Sequence, residues 1–372
     1  MSRDLLHTPD GVRDVYDNEY RHLKYIRNKL NETIKTFGYA SIDTPTFEFF
    51  DIFSKEVGTT PSRELYKFFD KEGNTLVLRP DFTPSIARAA AKYYMEDSNP
   101  VRLCYEGKVF CNNDSFQGRL KESTQIGAEL IGLSGADADA EIIAMVVKSL
   151  LATGLTDFQI SIGHSGIYKS LVNMAGLDEE AAEELSLLIS NKNVFGAEEF
   201  LDSHKVSAET KELFQLCTAM YQEPGEWSRL TKSTGDTGEI NDALESLEDL
   251  YEILKIYGID GYVSFEPGII SRHDYYTGII FGAYTYGTGE AVVSGGRYDK
   301  LMSYFGKNTP AIGFSIVCDR LMFAMSAQKL LKVKDKKRET ITYGDTNRSE
   351  AIKQATELRE QGIPVTLIYT GK

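Results

Sequence analysis

VRLCYEGKVFCNNDSFQGRLKESTQIGAELIG, residues 101–132, decides how the rest of the chain is read. Val101, Leu103 and Tyr105 alternate with polar residues, as in a half-buried strand. Gly107 and the polar run Asn112–Gly118 break that alternation and reverse the chain. The return strand carries Gln125 and Glu129 at an even spacing, which places both on one face of a sheet. Two hydrogen-bonding groups on one face suit the floor of a small-ligand pocket. They also suit a solvated sheet face, and this segment alone leaves both readings open.

Outward from that hairpin, the chain has 372 residues, enough for two or three domains with cores of their own. A net charge of −14 argues against broad attraction to nucleic acid or to an anionic membrane. Cys104, Cys111, Cys217 and Cys318 fit neither metal-ligand spacing nor a disulfide framework, and they suit a reducing compartment. The polar start MSRDLLHTPDGVRD predicts no signal peptide, and no apolar run is long enough to span a bilayer. The expected location is cytoplasmic.

On the N-terminal side, a helix with Ile26, Leu30 and Ile34 on one stripe follows a cap at Asp17 or Asn18. A strand over Tyr39–Ile42 then closes at Pro45, and a hairpin turns at Glu72–Gly73–Asn74. LRPDFTPSIARAAAKYY (78–94) leaves a strand and enters an alanine-rich helix. Asp81 and Thr83 sit at that corner, where they serve equally as helix caps or as ligand groups. On the C-terminal side, residues 166–258 carry leucine stripes at helical spacing and read as an all-helical insertion. Strands then resume around GIISRHDYYTG (268–278) and SGGRYDKLMSYFG (294–306), the latter expected as a glycine-rich turn in which Gly295 and Gly296 permit positive φ. Neither stretch is a dinucleotide fingerprint or a P-loop. The basic run LKVKDKKRE (331–339) reads as a linker before one βαβ unit. The expected division is thus 1–165 and 259–328 as two parts of one core, 166–258 as the insertion, and 329–372 as linker and βαβ unit.

Five segments, LRPDFTPSIAR, YEGKVF…GRLKESTQIGAELIG, DYYTG, SGGRYDKL and AIGFSIVCDRL, together resemble histidyl-tRNA synthetase in order and spacing over about residues 5–325. The resemblance implies an α+β fold with a class II aminoacyl-tRNA synthetase-like core: a mostly antiparallel sheet flanked by helices, a helical insertion and a partial anticodon-binding-like βαβ unit. It also implies a histidine pocket. Asp81 and Thr83 fall where the family holds the α-amino group, although synthetases have glutamate at position 81. Gln125 falls at the amino acid's polar end, and Glu129 and Tyr276, with Tyr275 beside them, fall at the imidazole. A carboxylate and a phenol can satisfy the two nitrogens of an imidazole.

The nucleotide side departs from the family. The arginine that would clamp the ATP α-phosphate is Cys111, the glutamate two residues on is Asn113, and the arginine ahead of DYY aligns with Ser271, one residue from Arg272. Lys121 replaces another arginine, while Arg119 and Arg320 remain as vestigial nucleotide-side cations. Attack on a phosphate depends on preorganised cations, so these losses predict histidine binding without activation. That combination is similar to the regulatory subunits of ATP phosphoribosyltransferase. The resemblance implies a short-form catalytic subunit as partner, histidine as feedback inhibitor, a homodimer within a hetero-oligomer, no tRNA, no metal and no cofactor. A divergent synthetase and a free-standing histidine sensor are the alternatives.

Overall fold

The computed structural model describes residues 6–53, 60–94, 99–113, 120–224, 238–270, 275–332 and 338–371. These form two compact units, Met1–Leu330 and Leu331–Lys372.

The chain opens with α1 (Asp17–Thr36), whose Leu23, Ile26, Leu30 and Ile34 are buried on one stripe. Burying each of these contributes about 1.5–3 kcal/mol. Neither expected cap is used: the N-cap is Tyr16 without a side-chain bond, and Asp17 lies inside the first turn, where a carboxylate suits the helix dipole. There follow β1 (Ala40–Ser41), β2 (Phe47–Phe49), β3 (Lys67–Phe69), β4 (Thr75–Leu78) and α2 (Thr83–Tyr93). The hairpin of the opening stretch is β5 (Val101–Phe110) and β6 (Glu122–Ile131). Next come α3 (Ala136–Thr153), β7 (Gln159–His164), α4 (Ser165–Ala175), α5 (Glu179–Ser190), α6 (Val194–Ser203), α7 (Ala208–Thr218) and α8 (Gly238–Ile256). The core resumes with β8 (Val263–Phe265), β9 (Ile279–Tyr284), β10 (Val293–Arg297), β11 (Ala311–Val317) and α9 (Cys318–Ala327).

One eight-stranded sheet runs β1-β5-β6-β11-β10-β9-β7-β8. It is antiparallel except at its edges, where β1 pairs with β5 and β7 with β8 in parallel. A separate three-stranded sheet, β2-β4-β3, closes over Phe53, Leu65 and Val77.

The period of two in β5 and β6 sorts the large sheet into two faces. From one face Arg102 pairs with Glu141 of α3, and Glu106 takes bonds from Arg27 and Asn31 of α1. From the other, Val101, Leu103, Tyr105 and Val109 enter an apolar cluster with Phe82 and Ile86 of α2, Tyr276 and Tyr298. Helices α1 and α3 therefore seal one face, and the site forms on the second, beside α2.

The segment expected as a glycine-rich turn is strand: Val293–Arg297 is β10, hydrogen-bonded to β9 and β11. Gly295 and Gly296 do not take positive φ, which corrects that part of the expectation. Their use is close approach. A Cβ on Gly296 would lie 2.6 Å from the Tyr276 ring, so the missing side chain is what seats that tyrosine.

In the second unit, β12 (Glu339–Tyr343) and β13 (Val365–Tyr369) pair in parallel. Between them in sequence, α10 (Arg348–Glu360) buries Ala351 and Ala355. Residues 333–337 of the expected linker lie outside the described residues.

Candidate ligand pocket

Glu129 is the centre of the second face. It is 1% exposed, at the middle of the sheet on β6. In register it lies between Leu103 of β5 and Gly313 of β11. A Cβ on Gly313 would come within 1.6 Å of Glu129 Oε2, so only glycine leaves room for the carboxylate there. Thr83, at the start of α2, donates from Oγ1 to Oε1 at 3.0 Å, and Tyr298 donates from its phenol to Oε2 at 2.5 Å.

Burial dominates the acidity of this group. It pushes the Glu129 carboxyl up to about 8, and the nearby charge of Asp81 pushes the same way while the Tyr298 and Thr83 bonds oppose it. The sequence reading took Glu129 as a charged imidazole partner. Raised to about 8, the carboxyl can donate to a ligand nitrogen while protonated, or ionise opposite a protonated one.

The remaining expected residues gather around it. Asp81 Oδ1 accepts from the Thr83 amide at 3.3 Å, which joins the capping and ligand-group readings at one corner. The formal N-cap is Phe82, without a side-chain bond. Arg79 fixes that corner: its buried guanidinium donates to the carbonyls of Lys108 at 2.8 Å and Thr44 at 2.6 Å and lies 4.0 Å above the Phe82 ring. Phe82 in turn stacks on Tyr105 at 4.4 Å. Tyr275 and Tyr276 stand with ring centroids 4.5 Å apart, and Tyr275 meets Tyr298 edge-on at 6.0 Å. Burial raises the pKa of all three phenols, so they remain neutral donors. Gln125 shares the Glu129 face, and its buried Oε1 has no hydrogen-bond partner among the described residues. A buried acceptor in that condition suits a ligand donor.

Sequence reasoning missed Tyr298. It was quoted within SGGRYDKL, but its partner lies 169 positions away, and no local pattern connects the two. Arg79 was also passed over as the strand end.

The nucleotide-side positions are arranged differently. Cys111 Sγ lies 3.7 Å from Glu64 Oε2. Arg320 pairs with Glu290 at 2.5 Å and donates to the Ala291 carbonyl at 2.8 Å. The Lys121 amide donates to the Gly11 carbonyl at 2.8 Å, and its carbonyl accepts from the Cys111 amide at 2.9 Å. Arg119, Ser271 and Arg272 lie outside the described residues. Among the described residues no cluster of histidine, cysteine and acidic groups has the makings of a metal site. A groove of about 660 Å³, lined by Asp43, Glu48, Arg88 and Lys92 among others, involves none of the pocket residues.

The antiparallel sheet with its helix-sealed back and polar, aromatic front defines a histidyl-tRNA synthetase-like, class II synthetase fold. The family model described as histidyl-tRNA synthetase matches residues 11–321. A histidyl-tRNA synthetase from Nostoc sp. PCC 7120 superposes with a TM-score of 0.82 at 17% identity, covering 100% of this chain and 87% of that one, which bears on the fold alone. A Bacillus halodurans structure described as an ATP phosphoribosyltransferase regulatory subunit/histidyl-tRNA synthetase gives a TM-score of 0.86 at 32% identity, over 99% of this chain and 94% of that one. The ATP phosphoribosyltransferase regulatory subunit of Acetivibrio thermocellus is 37% identical over 371 residues, 100% of this chain and 88% of that protein. That of Caldanaerobacter subterraneus is 36% identical, over 99% of this chain and 95% of that protein. The chain belongs to the ATP phosphoribosyltransferase regulatory subunit family.

Proposed function

We propose that this chain is the non-catalytic regulatory subunit of an ATP phosphoribosyltransferase, required by a short catalytic subunit and responsible for feedback inhibition by histidine at the first step of histidine biosynthesis. The role as a regulatory subunit follows from relatives of that name that match over essentially the whole chain.

The ligand reading rests on one observation above the others: a buried carboxyl, Glu129, held between two hydroxyl donors on the sheet face that also carries Gln125. Histidine would place its imidazole against Glu129 and Tyr276 with Tyr275 alongside, its α-amino group at Asp81 and Thr83, and its polar end at Gln125. An ammonium group favours an acidic partner, and a hydrogen bond to a charged group contributes about 1.5–3 kcal/mol. Inhibition then requires that histidine bind the inhibited and active states of the complex with different affinities, and the coupling is reciprocal.

The subunit would work in the cytoplasm, without tRNA, as a homodimer within the hetero-oligomer. No described helix is long and apolar enough to cross a membrane. For the homodimer contact, the support is the strand leading to Pro45, followed by Phe47 and Phe49, which are 52% and 56% exposed. Light scattering on the isolated chain tests this, with twice the chain mass expected and a single chain mass counting against it.

Calorimetry with L-histidine, beside an ATP–pyrophosphate exchange assay on the same sample, tests the central reading. Binding without exchange is expected. Histidine-dependent exchange would make the chain a divergent synthetase, and binding with no effect on any short catalytic subunit would make it a free-standing sensor.

A further inference from the structure

The helical region is tied to the pocket at particular points. Strand β7 runs directly into α4, and this junction grips the segment that carries the tyrosine pair. The Ser165 amide donates to the Gly278 carbonyl at 2.9 Å, and Lys169 Nζ donates to the Tyr276 carbonyl at 3.1 Å. From the other side, the Thr277 amide donates to the Arg297 carbonyl at 2.8 Å, one residue before Tyr298. The backbone of Tyr276, Thr277 and Gly278 is therefore held between α4 and β10.

Farther along, α4 hands these contacts to the rest of the helices. Ser170 Oγ donates to Glu239 of α8 at 2.7 Å, and the Tyr168 phenol donates to the Ala182 carbonyl of α5 at 2.7 Å. Ile167 and Leu171 of α4 are fully buried. The chain leading into the pocket segment is tied as well: Gly268 donates to the Cys217 carbonyl at the end of α7 at 2.7 Å, and its neighbour Ile269 packs against the pocket cluster. Backbone order in the tyrosine segment and order in α4 thus share hydrogen bonds.

We propose that α4 is the element through which ligand occupancy of the Glu129 pocket reaches the helical region, with Lys169 as the positioning residue that joins it to Tyr276. The inference rests on the histidine reading above. A ligand that engages the Tyr276 side chain narrows the motion of its backbone, and the Lys169 bond extends that restriction into α4. Coupling of this kind needs no change of fold, only a shared loss of freedom that can be observed. Lys169 touches the pocket segment through its backbone, so its effect is separable from ligand contact.

The test is amide hydrogen exchange on the full chain, with and without saturating L-histidine, for wild type, Lys169→Met and Lys169→Arg. The Lys169 side chain is exposed, so both variants keep the core intact. In wild type, histidine should slow exchange across α4. Lys169→Met should reduce that slowing, leaving only what the Ser165 bond carries, and weaken histidine about three- to tenfold, the scale of one hydrogen bond, while Lys169→Arg restores both. A purely structural lysine would not give rescue of the ligand-dependent change. No histidine effect on α4 in wild type, or an undiminished effect in Lys169→Met, overturns the proposal while leaving the pocket reading in place. Calorimetry on the same wild-type sample separates the failures: absence of histidine binding overturns both.

Discussion

The two halves of the cleft treat their polar groups in opposite ways. On the Glu129 side they are buried, and they meet one another across the fold: carboxyl to Thr83, carboxyl to Tyr298, tyrosine against tyrosine. On the Cys111 side, Arg320 stands nearer to solvent and is matched by Glu290, and the Cys111 thiol faces Glu64. Recognition of a small zwitterion needs preorganised dipoles in a dry setting, whereas phosphate chemistry needs positive charge still available to the substrate. The buried, mutually bonded groups around Glu129 suit the first requirement. At the described nucleotide-side positions a cysteine stands at 111 and Arg320 is already paired, which agrees with membership in a family of regulatory subunits.

The sharpest way to break this contrast is at its centre. Glu129→Gln keeps the shape but cannot accept or release a proton. Histidine affinity should fall about 100-fold, as when one member of a buried hydrogen-bonded charge pair is lost. Calorimetry reads this directly, and affinity within twofold of wild type would remove Glu129 from the site.

Tyr298→Phe should have a smaller effect, about tenfold on histidine affinity, because it deletes one strong bond to the carboxyl and leaves the ring in place. Its second signature is a change in the pH dependence of binding. That bond lowers the Glu129 pKa, so its loss should move the Glu129 titration to still higher pH.

The burial of Glu129 also makes a prediction about stability. Burial raises Glu129 from 4.5 to about 8, so between those values the folded chain holds a proton that the unfolded chain has released. Stability from this group is therefore full at low pH and is lost as pH rises through the folded value. Asp139, raised by burial to about 6, contributes the same sign but is exhausted above that pH. His164, depressed by burial from 6.5 to about 4, has the opposite sign and acts only below 6.5. The clean window is pH 6.5–8, where the urea midpoint of wild type should fall with rising pH and that of Glu129→Gln should stay flatter. Equal slopes would mean that Glu129 is not the group that titrates.

The sequence carried the fold where periodicity is local. Alternation in residues 101–110 gives the two sheet faces, and the spacing of Gln125 and Glu129 gives the shared pocket side. It carried less where partners are distant. Tyr298 is tied to Glu129 by a bond across the sheet, and the protonation of Glu129 follows from burial that no single segment reveals. Gly295 and Gly296 were legible as glycines needed for something, but the need is a ring lying against a strand rather than a turn. The corner at Asp81 and Thr83 looked divided between capping and binding because it serves a backbone amide and the pocket carboxyl together.

Cys111→Arg sharpens the comparison from the weaker side and should change least. The substitution returns the guanidinium that the synthetase pattern carries at this position, so a single decisive loss would be reversed by it. The surroundings argue otherwise. Glu64 Oε2 already lies 3.7 Å from the thiol sulfur, and a new arginine would find that carboxylate before any phosphate. Partly exposed pairs of this kind contribute only about 0–1 kcal/mol, so stability should barely move. The chemistry would still lack Ser271 as an arginine and would still have Arg320 engaged by Glu290. Histidine affinity should remain within about twofold of wild type, since the altered group does not enter the Glu129 network. ATP–pyrophosphate exchange should stay at background. Exchange above background would show that one residue separates the two halves, and the division of the cleft into a kept recognition side and a lost catalytic side would reduce to position 111.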